Sequence, residues 1–477
     1  MSCQQKINDV TITGQIIGDI PENINYTLPI NGIDFIGFNQ MVRPDSLGNF
    51  KITLAVTKAS FVELSQEYKS FGTVIVEPEM HYQVLIDNTE KKPKFKVTAH
   101  NAKGQELYNK ITNRNMITGH FELEANSYFK DSVPSAIETK IKQSLVTEMT
   151  EYQALLEKHD ISEDFYQLVA TDRGYFYAGA QGSVAFLNFL YEERNQNTLN
   201  KDQYNKLWSA VFQSYPASNP ELLRSPWFYY YTQNYLRYQE FLENEVDTDS
   251  LIGLRNQGKI NTYQINQAKK HLSGEQLEYY YAAFLYDVSI SKNYEKELIP
   301  LFEAFKTTYS QSAYSPFIAP EIENIVAFHN KQKDSLNTNT TFINNTDSLN
   351  TLKEVVKTLN GHRYYVDVWT TWCSPCKKEF AHNSELYKLL KAKNITPLYI
   401  SIDRDEKATQ WKQMIAFYGL EGYQIRANKA LYNNLKQLYE GNTFAIPWHI
   451  LVDSDGAIIK KHVSGPSKIE KLISELN

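Results

Sequence analysis

Two cysteines separated by two residues stand where a predicted strand passes into a predicted helix. Cys373 and Cys376 follow an apolar, β-branched run that begins at Val366, and the residues after them favour a helix. At a helix N-terminus, free backbone N–H groups and the helix dipole stabilise a thiolate. We therefore predict that Cys373 is a nucleophile. Cys376, one helical turn further on, would attack the mixed disulfide and release the substrate.

A pair of cysteines can also bind zinc, but the composition disfavours that chemistry. The chain has only three cysteines, so a four-cysteine site is impossible within one chain. A site of three cysteines and one histidine would need the distant Cys3, and no HxxxH pair completes a site of two cysteines and two histidines. We expect no metal.

Three separated motifs resemble the thioredoxin superfamily, and specifically the membrane-associated TlpA/ResA-like thiol-disulfide oxidoreductases. The first is the pattern WCxPCxxE, which runs here from Trp372 to Glu379. The second is Asp367, six residues before Cys373, where thioredoxins carry a buried Asp. The third is Phe-Ala-Ile-Pro at 444–447, where the family places its cis-proline loop. The resemblance covers the region 341–477 and implies a thioredoxin fold there.

The resemblance implies roles for several of these residues. Asp367 would be buried with a raised pKa and would help to remove the proton of Cys376, although an Asp on a strand can also simply bond to backbone. Glu379 would tune the cysteines, or would only complement the helix dipole. Pro447 would be cis and would expose the backbone of Ile446 to a substrate strand.

Tryptophans and two departures from the family pattern bear on access and proton transfer. Trp369 and Trp372 would flank the dithiol and restrict access to it. Thioredoxin has a lysine on the strand next to its buried Asp, whereas 398–403 has none. Proton transfer at Asp367 is therefore expected to differ from that in thioredoxin.

Trp448, directly after the proline, is bulkier than the usual Thr and is expected to narrow the substrate range.

The residues around the dithiol indicate a direction for the reaction. Ser374 and Pro375 between the cysteines, and Ile446 before the proline, resemble reducing thioredoxins near about −270 mV more than strong oxidants near about −120 mV. The resemblance thus implies a reductase of protein disulfides that has no cofactor beyond the Cys373–Cys376 disulfide. A membrane electron donor would resupply it.

Other functions stay open at this point. The protein could be a disulfide isomerase or oxidase, or a partner-binding module in which the CxxC is only a redox latch. The run Thr-Thr-Trp-Cys at 370–373 also fits the TxxC of a peroxidase, but the upstream proline is missing and the second cysteine is too close.

Length and charge limit the broad class of the protein. A chain of 477 residues exceeds one hydrophobic core, and a net charge of −6 without a basic run or a Gly-rich phosphate loop disfavours nucleic-acid binding. The 33 Tyr and 24 Phe residues are expected mainly in the core and between helices.

The N-terminus suggests a location. No apolar stretch approaches the roughly 18 residues of a membrane span. The start Met1-Ser2-Cys3 resembles a bacterial lipoprotein whose signal has been removed, in which the cysteine carries the lipid. An incidental cysteine is the alternative. We predict a protein of the bacterial periplasm or cell envelope that contacts the membrane only through a lipid on Cys3.

Hydrophobic periodicity predicts a multidomain chain. Alternating runs predict an N-terminal all-β, sandwich-like module over 1–100, and helical spacing predicts a central all-α region over 101–330. A polar linker at 331–340 precedes the α/β thioredoxin fold at 341–477. The β module is expected to be a spacer or interaction module, and the helices are expected to shape a substrate groove or only to hold the domains.

Several individual elements can be assigned. In the central region the pattern predicts two separate helices at 162–173 and 183–194. In the C-terminal region it predicts strands at 363–369 and 448–453 and one long helix at 373–393. No strand is predicted between 418 and 429.

Overall fold

The computed structural model describes residues 8–30, 33, 39–66, 69–111, 120–128, 133–195, 201–243, 246–331, 336–344, 346–439 and 444–476. The chain forms two compact units. The first unit comprises Met1–Tyr286 and Pro300–Ile318, and the second unit comprises Asp287–Ile299 and Ala319–Asn477. Residues 287–299 and 319–330 therefore group with the C-terminal region, and the four predicted domain ranges stay predictions. The predicted lipidation site, Cys3, lies outside the described residues.

Strands that alternate apolar and polar residues build the N-terminal part of the first unit. Within the described residues, eight strands form two four-stranded sheets, ordered β4-β1-β7-β8 and β3-β2-β5-β6. The strands are β1 (Asn8–Gly18), β2 (Ile24–Thr27), β3 (Asn39–Val42), β4 (Asn49–Val56), β5 (Ser60–Gln66), β6 (Lys69–Val76), β7 (His81–Asn88) and β8 (Lys94–Ala99). Buried residues from both sheets form one hydrophobic core, which is the arrangement of a β-sandwich.

Helices follow the strands and make up the rest of the first unit, except that residues 287–299 and 319–330 of this helical region belong to the second unit. In the described residues the α-helices are α1 (Ala102–Asn109), α2 (His120–Tyr128), α3 (Pro134–Glu157), α4 (Glu163–Asn195), α5 (Lys201–Ser214), α6 (Phe228–Tyr238), α7 (Thr248–Asn256), α8 (Ile260–His271), α9 (Gly274–Ile290), α10 (Leu298–Thr308) and α11 (Ser315–Asn330). The tyrosine triplets 229–231 and 279–281 are buried. These aromatic residues thus pack between helices, as predicted.

Side chains of α1 join the sandwich to the helices within the first unit. Gln105 accepts a hydrogen bond from the backbone N–H of Ile75 (3.0 Å) and donates one to its carbonyl oxygen (2.6 Å). Asn109, one turn later, does the same at Thr73 (2.9 and 2.8 Å). Two amide side chains therefore satisfy the free edge of β6 and close it to other strands.

A six-stranded mixed sheet forms the centre of the second unit. Its order is β14-β13-β10-β11-β12-β9, in which β9, β12, β11 and β10 run parallel and β13 and β14 are antiparallel to their neighbours. The strands are β9 (Thr340–Phe342), β10 (Arg363–Trp369), β11 (Ile395–Ser401), β12 (Gly422–Arg426), β13 (Trp448–Asp453) and β14 (Ile458–Lys460).

Helices cover both faces of this sheet. They are α12 (Leu352–Lys357), α13 (Ser374–Glu379), α14 (Asn383–Ala392), α15 (Ala408–Tyr418), α16 (Lys429–Leu438) and α17 (Ile469–Glu475). Residues of α12 and α16 share a core with Tyr364, Val366 and Val368 of β10. Residues of α14 and α17 share a second core with Tyr365. Since side chains alternate along a strand, Asp367 and Trp369 face the same side as Tyr365.

The described helices differ in length and in apolar character. None of them combines the length and the apolar character that crossing a bilayer requires.

Candidate active site

The two cysteines of the CxxC motif are joined in a disulfide at the start of α13. Cys373 is the N-cap residue of this helix, and its Cα lies 5.3 Å from that of Cys376. The backbone N–H of Cys376 points at the Cys373 sulfur, 3.2 Å away. Pro375 occupies the first turn. When the disulfide is reduced, this N–H is in place to stabilise a thiolate on Cys373.

A carboxylate beyond the end of β11 fixes the turn before Cys373. Asp403 accepts hydrogen bonds from the backbone N–H and the hydroxyl of Thr371, both at 2.8 Å. It also accepts one from the Ser401 hydroxyl (2.8 Å), and it is 4% exposed. A buried carboxylate with three donors holds its surroundings in one conformation.

A buried lysine lies beside the same turn. Lys377 is 1% exposed. Its ammonium donates to the carbonyl oxygens of Thr371 (2.6 Å) and Lys292 (3.0 Å) and to Oδ1 of Asn293 (3.2 Å). Burial lowers the pKa of this group from 10.5 to about 7. A lysine in such surroundings changes charge near neutral pH.

The buried carboxyl of β10 has a histidine as its neighbour. Asp367 is 1% exposed, and no donor among the described residues makes a hydrogen bond to either of its oxygens. It lies opposite His449 on β13, with Nε2 of the histidine 3.5 Å from Oδ2. On the other side it is in register with Tyr399 of β11. Burial, with a contribution from Asp367, keeps the pKa of the Tyr399 hydroxyl well above its usual value.

Glu379, at the end of α13, bonds to a distant part of the chain. Its carboxylate accepts from the backbone N–H (2.8 Å) and the hydroxyl (2.7 Å) of Ser467. A Cβ placed on Gly465 would come within 2.7 Å of the Glu379 carboxylate and 2.9 Å of the His449 ring. The glycine therefore allows Glu379 and His449 to approach the same point of the backbone.

The peptide bond between Ile446 and Pro447 is cis. The next residue, Trp448, pairs with Val368 in the sheet, so the proline lies beside the end of β10 that leads to Cys373. The Trp448 ring is 2% exposed and donates to the carbonyl oxygen of Lys461 (2.7 Å). The ring is therefore part of the core and does not cover the surface beside Pro447. Trp448 was expected to narrow the range of substrates, and its burial does not support that expectation.

The two predicted tryptophans differ in exposure. Trp369 is fully buried, and its ring packs edge-on against Phe380 at 5.1 Å. Trp372 is 60% exposed. Of the two, only Trp372 offers a surface to a substrate, and Trp369 is a core residue.

Known proteins match the C-terminal region. The Redoxin family profile matches residues 332–474. A thiol-disulfide oxidoreductase ResA of Bacillus cereus is 27% identical over 113 residues, which are 24% of this chain and 61% of ResA. ResA of Bacillus anthracis is 28% identical over the same shares of the two chains. The C-terminal region is a TlpA/ResA-like member of the thioredoxin superfamily.

This TlpA/ResA-like region is the part of the chain that the relatives share. A thiol:disulfide interchange protein of Bacteroides sp., whose structure is solved, is 29% identical, and the match covers 25% of this chain and 76% of that one with a TM-score of 0.20. The chain spans 61% of the length of the ResA relatives. The matched ResA segments leave about three quarters of this chain without a counterpart.

Three polar residues of the TlpA/ResA-like region were not predicted to belong to the site: Asp403, Lys377 and His449. Asp403 and Lys377 bind the turn before Cys373. His449 lies next to Asp367. A signal for His449 was present, because it is the second residue after Pro447 on a predicted strand. Asp403 and Lys377 carry no comparable mark in the sequence.

Proposed function

We propose that this protein is a thiol-disulfide oxidoreductase that reduces protein disulfides through Cys373 and Cys376. The observation that carries the proposal is the bridge between these cysteines at the N-terminus of α13, with a backbone N–H directed at the Cys373 sulfur. The ResA relatives, which are named as thiol-disulfide oxidoreductases, support the reaction class. The direction of the reaction is part of the proposal.

The proposed reaction has two thiol-disulfide exchanges. The Cys373 thiolate attacks one sulfur of the substrate disulfide, which forms a mixed disulfide and releases one substrate thiolate. Cys376 loses its proton and attacks the Cys373 sulfur, which releases the second substrate thiolate and re-forms the Cys373–Cys376 bond. The substrate gains two electrons, and the dithiol loses two.

Asp367 is proposed to accept the proton that Cys376 must lose. The carboxyl is buried on one face of the sheet. Trp369 lies on the same face and contacts Phe380, so the residues that follow α13 cover this face. Among the described residues no hydrogen bond occupies its oxygens, which leaves them able to take a proton. Nε2 of His449 lies 3.5 Å from Oδ2 of this carboxyl.

Two residues, the half-buried Ile446 and the exposed Trp372, are proposed to receive the substrate. The backbone of Ile446 before Pro447 would pair with an extended substrate segment, and Trp372 would contact its side chains. Glu379 is proposed to act mainly through structure, because both of its oxygens bind Ser467.

The partners and the location remain proposals of the same kind. We propose disulfide-containing proteins as substrates and a membrane protein as electron donor, in the bacterial envelope, with a lipid on Cys3. Incorporation of labelled palmitate into the wild type but not into Cys3→Ala would support the anchor. Equal labelling of the two would contradict it.

The test of the reaction combines a potential with a turnover assay. The wild type is equilibrated with dithiothreitol buffers, the Cys373/Cys376 pair is trapped and quantified, and reduction of insulin disulfides is followed separately. We expect a potential near about −270 mV and insulin reduction that Cys373→Ser abolishes. A potential above about −180 mV would reverse the direction toward isomerisation or oxidation. A wild type that does not exchange disulfides would instead favour a partner-binding module.

A further inference from the structure

Lys377 is a buried cation that the proposed exchange reactions do not use. Lysine is almost never fully buried unless its charge is compensated. The three acceptors around this ammonium are two carbonyl oxygens and one amide oxygen, none of which is charged. Two of the three, at Lys292 and Asn293, come from residues 287–299, which precede the cysteines by more than seventy positions. A distant part of the sequence therefore encloses the side chain that follows Cys376.

The segment 287–299 is itself fixed on the second unit. The Ser374 hydroxyl, between the two cysteines, donates to the carbonyl oxygen of Ile290 (3.3 Å). Gln410 of α15 donates to the carbonyl oxygen of Asn293 (3.0 Å). The ring of Tyr294 stacks on that of Phe328 with centroids 4.3 Å apart. These contacts hold the segment against the start of α13, so the acceptors of Lys377 are pre-positioned.

We propose that Lys377 is a positioning residue for the redox reaction: held by the segment 287–299, its ammonium fixes the turn before Cys373 and stabilises the Cys373 thiolate. This inference rests on the proposed thiol-disulfide exchange. Lys377 and Asp403 act on the same residue, Thr371, which lies two positions before Cys373. Its carbonyl oxygen binds Lys377, and its N–H and hydroxyl bind Asp403.

Distance and charge support an effect on the thiolate. Two residues of extended chain span at most about 7 Å, so the Thr371 carbonyl that binds the ammonium is close to Cys373. Four charged groups face the ammonium: the carboxylates of Glu295 and Asp403 and the ammonium groups of Lys292 and Lys407. Asp403 is already engaged by three donors, and burial raises the pKa of Glu295. Among the described residues neither carboxylate forms an ion pair with Lys377, whose three acceptors are all uncharged, so a nearby thiolate would be a new anionic partner for the ammonium.

Reduction of the disulfide creates that anion. Two electrons and one proton convert the Cys373–Cys376 bond to a thiolate on Cys373 and a thiol on Cys376. If the ammonium stabilises the thiolate by a given factor, the thiolate must favour the ammonium by the same factor. The pKa of Lys377 must then be higher in the reduced than in the oxidised protein.

The first experiment measures the ionisation of Cys373 in the full-length protein. Fully reduced wild type, Lys377→Met and Lys378→Met are alkylated with iodoacetamide across pH 4–10, and the Cys373 peptide is quantified by mass spectrometry. We expect Lys377→Met to raise the midpoint by about one pH unit, a tenfold loss of thiolate below it. Lys378 is on the same helix but exposed, so its variant should keep the wild-type midpoint because solvent screens its charge. Lys377→Arg, which retains the charge, should lie nearer to the wild type than Lys377→Met does.

A second experiment needs no variant and decides the matter if Lys377→Met fails to fold. The protein is labelled with ¹³C-lysine, and the Lys377 side chain is titrated by NMR in the oxidised and the reduced wild type. A higher pKa in the reduced form is expected. Equal values in the two forms, or coincident alkylation profiles of a folded Lys377→Met and the wild type, would overturn the inference. Neither readout requires turnover, so failure to reduce insulin would count only against the proposed function.

Discussion

The turn that presents Cys373 depends on single polar residues that are far apart in the chain. Asp403 binds Thr371 through two donors, and Lys377 binds the carbonyl oxygen of the same residue. All the polar groups of Thr371 are thereby satisfied inside the protein. A substitution at either partner leaves a buried group without its bond, which costs more than the bond itself contributes.

Asp403→Asn should destabilise the oxidised protein by about 2–3 kcal/mol, because an amide cannot accept all three hydrogen bonds of the buried carboxylate. Urea unfolding measures the change. The matched control is Asp405→Asn, whose carboxylate is 94% exposed and pairs with Arg426. It should alter stability by no more than about 0.5 kcal/mol. Equal effects of the two substitutions would contradict the assigned role of Asp403.

The buried lysine predicts a particular dependence of stability on pH. The pKa of Lys377 is about 7 in the folded protein, whereas an unfolded lysine has about 10.4. Between these values the unfolded chain binds more protons, so this group makes the free energy of unfolding rise with pH by up to about 1.4 kcal/mol per unit. Burial of this group therefore does not destabilise the fold at a pH above the unfolded pKa of about 10.4. The destabilisation grows as the pH falls and is complete once the pH reaches the folded pKa of about 7.

The measurement compares urea unfolding of oxidised wild type and Lys377→Met at pH 7, 8 and 9. The wild type should gain stability relative to the variant at each step upward. Lys378→Met serves again as the control and should run parallel to the wild type. A constant difference between wild type and Lys377→Met would show that the ammonium is fully charged in the folded protein.

Part of the site could be predicted from local sequence. The spacing of Cys373 and Cys376 at a strand-to-helix junction is a local pattern, and a strand at 363–369 is confirmed as β10. The contacts of Asp403 and Lys377 depend instead on which loops the fold brings together. Exposed Asp and Lys residues are common, so burial alone distinguishes these two, and burial is a property of the tertiary structure.

At the scale of elements, packing overrides local preference in several places. The two helices predicted at 162–173 and 183–194 are one helix, α4. Two glycines lie in the stretch between the predicted helices, and both have close neighbours: a Cβ on Gly174 would lie 3.1 Å from the Tyr215 ring, and one on Gly182 would lie 3.1 Å from the Asn234 amide. Both glycines allow neighbouring side chains to approach the helix closely, and that packing compensates their low helix propensity.

The C-terminal region shows the same effect on a smaller scale. The helix predicted at 373–393 is wrong as a single element, because α13 and α14 are separated by a 3-10 turn at Phe380–His382. Phe380 within that turn packs against Trp369, Tyr399 and Tyr418. The strand β12 was not predicted, since five residues with two polar members give little periodicity. The strand at 448–453 is confirmed as β13.

Tyr294 is the main apolar anchor of the segment 287–299. It is 5% exposed, stacks on Phe328, and contacts the ring of Phe417. Tyr294→Ala should destabilise the second unit by about 3–5 kcal/mol through the lost aromatic packing. Urea unfolding would measure this loss of stability. Limited trypsin digestion should then cut at Lys292 or Lys296, and mass spectrometry would identify the cleavage site.

Tyr294→Phe is the matched variant for this test. It retains the stacked ring and loses only the hydroxyl, which is hydrogen-bonded to the hydroxyl of Tyr418. A cost of about 1 kcal/mol and no new tryptic site are expected. If the Phe variant were cleaved as readily as the Ala variant, the ring could not be the anchor.

At the scale of the whole molecule, the redox unit is discontinuous in sequence. Its sheet and the Cys373–Cys376 disulfide lie after residue 336, but 287–299 and 319–331 also belong to it. Lys331 at the end of the earlier segment donates to the carbonyl oxygen of Phe417 (2.6 Å), and His329 bonds to that of Tyr294 (2.8 Å). The predicted thioredoxin range alone therefore omits side chains that cover α15.

A fragment of residues 332–477 should be less stable than one of residues 287–477. The shorter fragment lacks Tyr294 and Phe328 and uncovers Phe417 and Lys377. We expect a deficit of at least about 3 kcal/mol in urea unfolding and stronger binding of a dye for apolar surface. Equal stability would mean that the earlier segments contribute nothing to the unit. The full-length chain provides the reference for both fragments.

The chain passes from one unit to the other three times, after residues 286, 299 and 318. No single cut in the gene can therefore separate the two units completely. A recombination event after residue 299 or after residue 318 would deliver the cysteines to a new host without the residues that enclose Lys377. We therefore expect the two units to be inherited together. The C-terminal region should not be transferable to another protein as an independent domain.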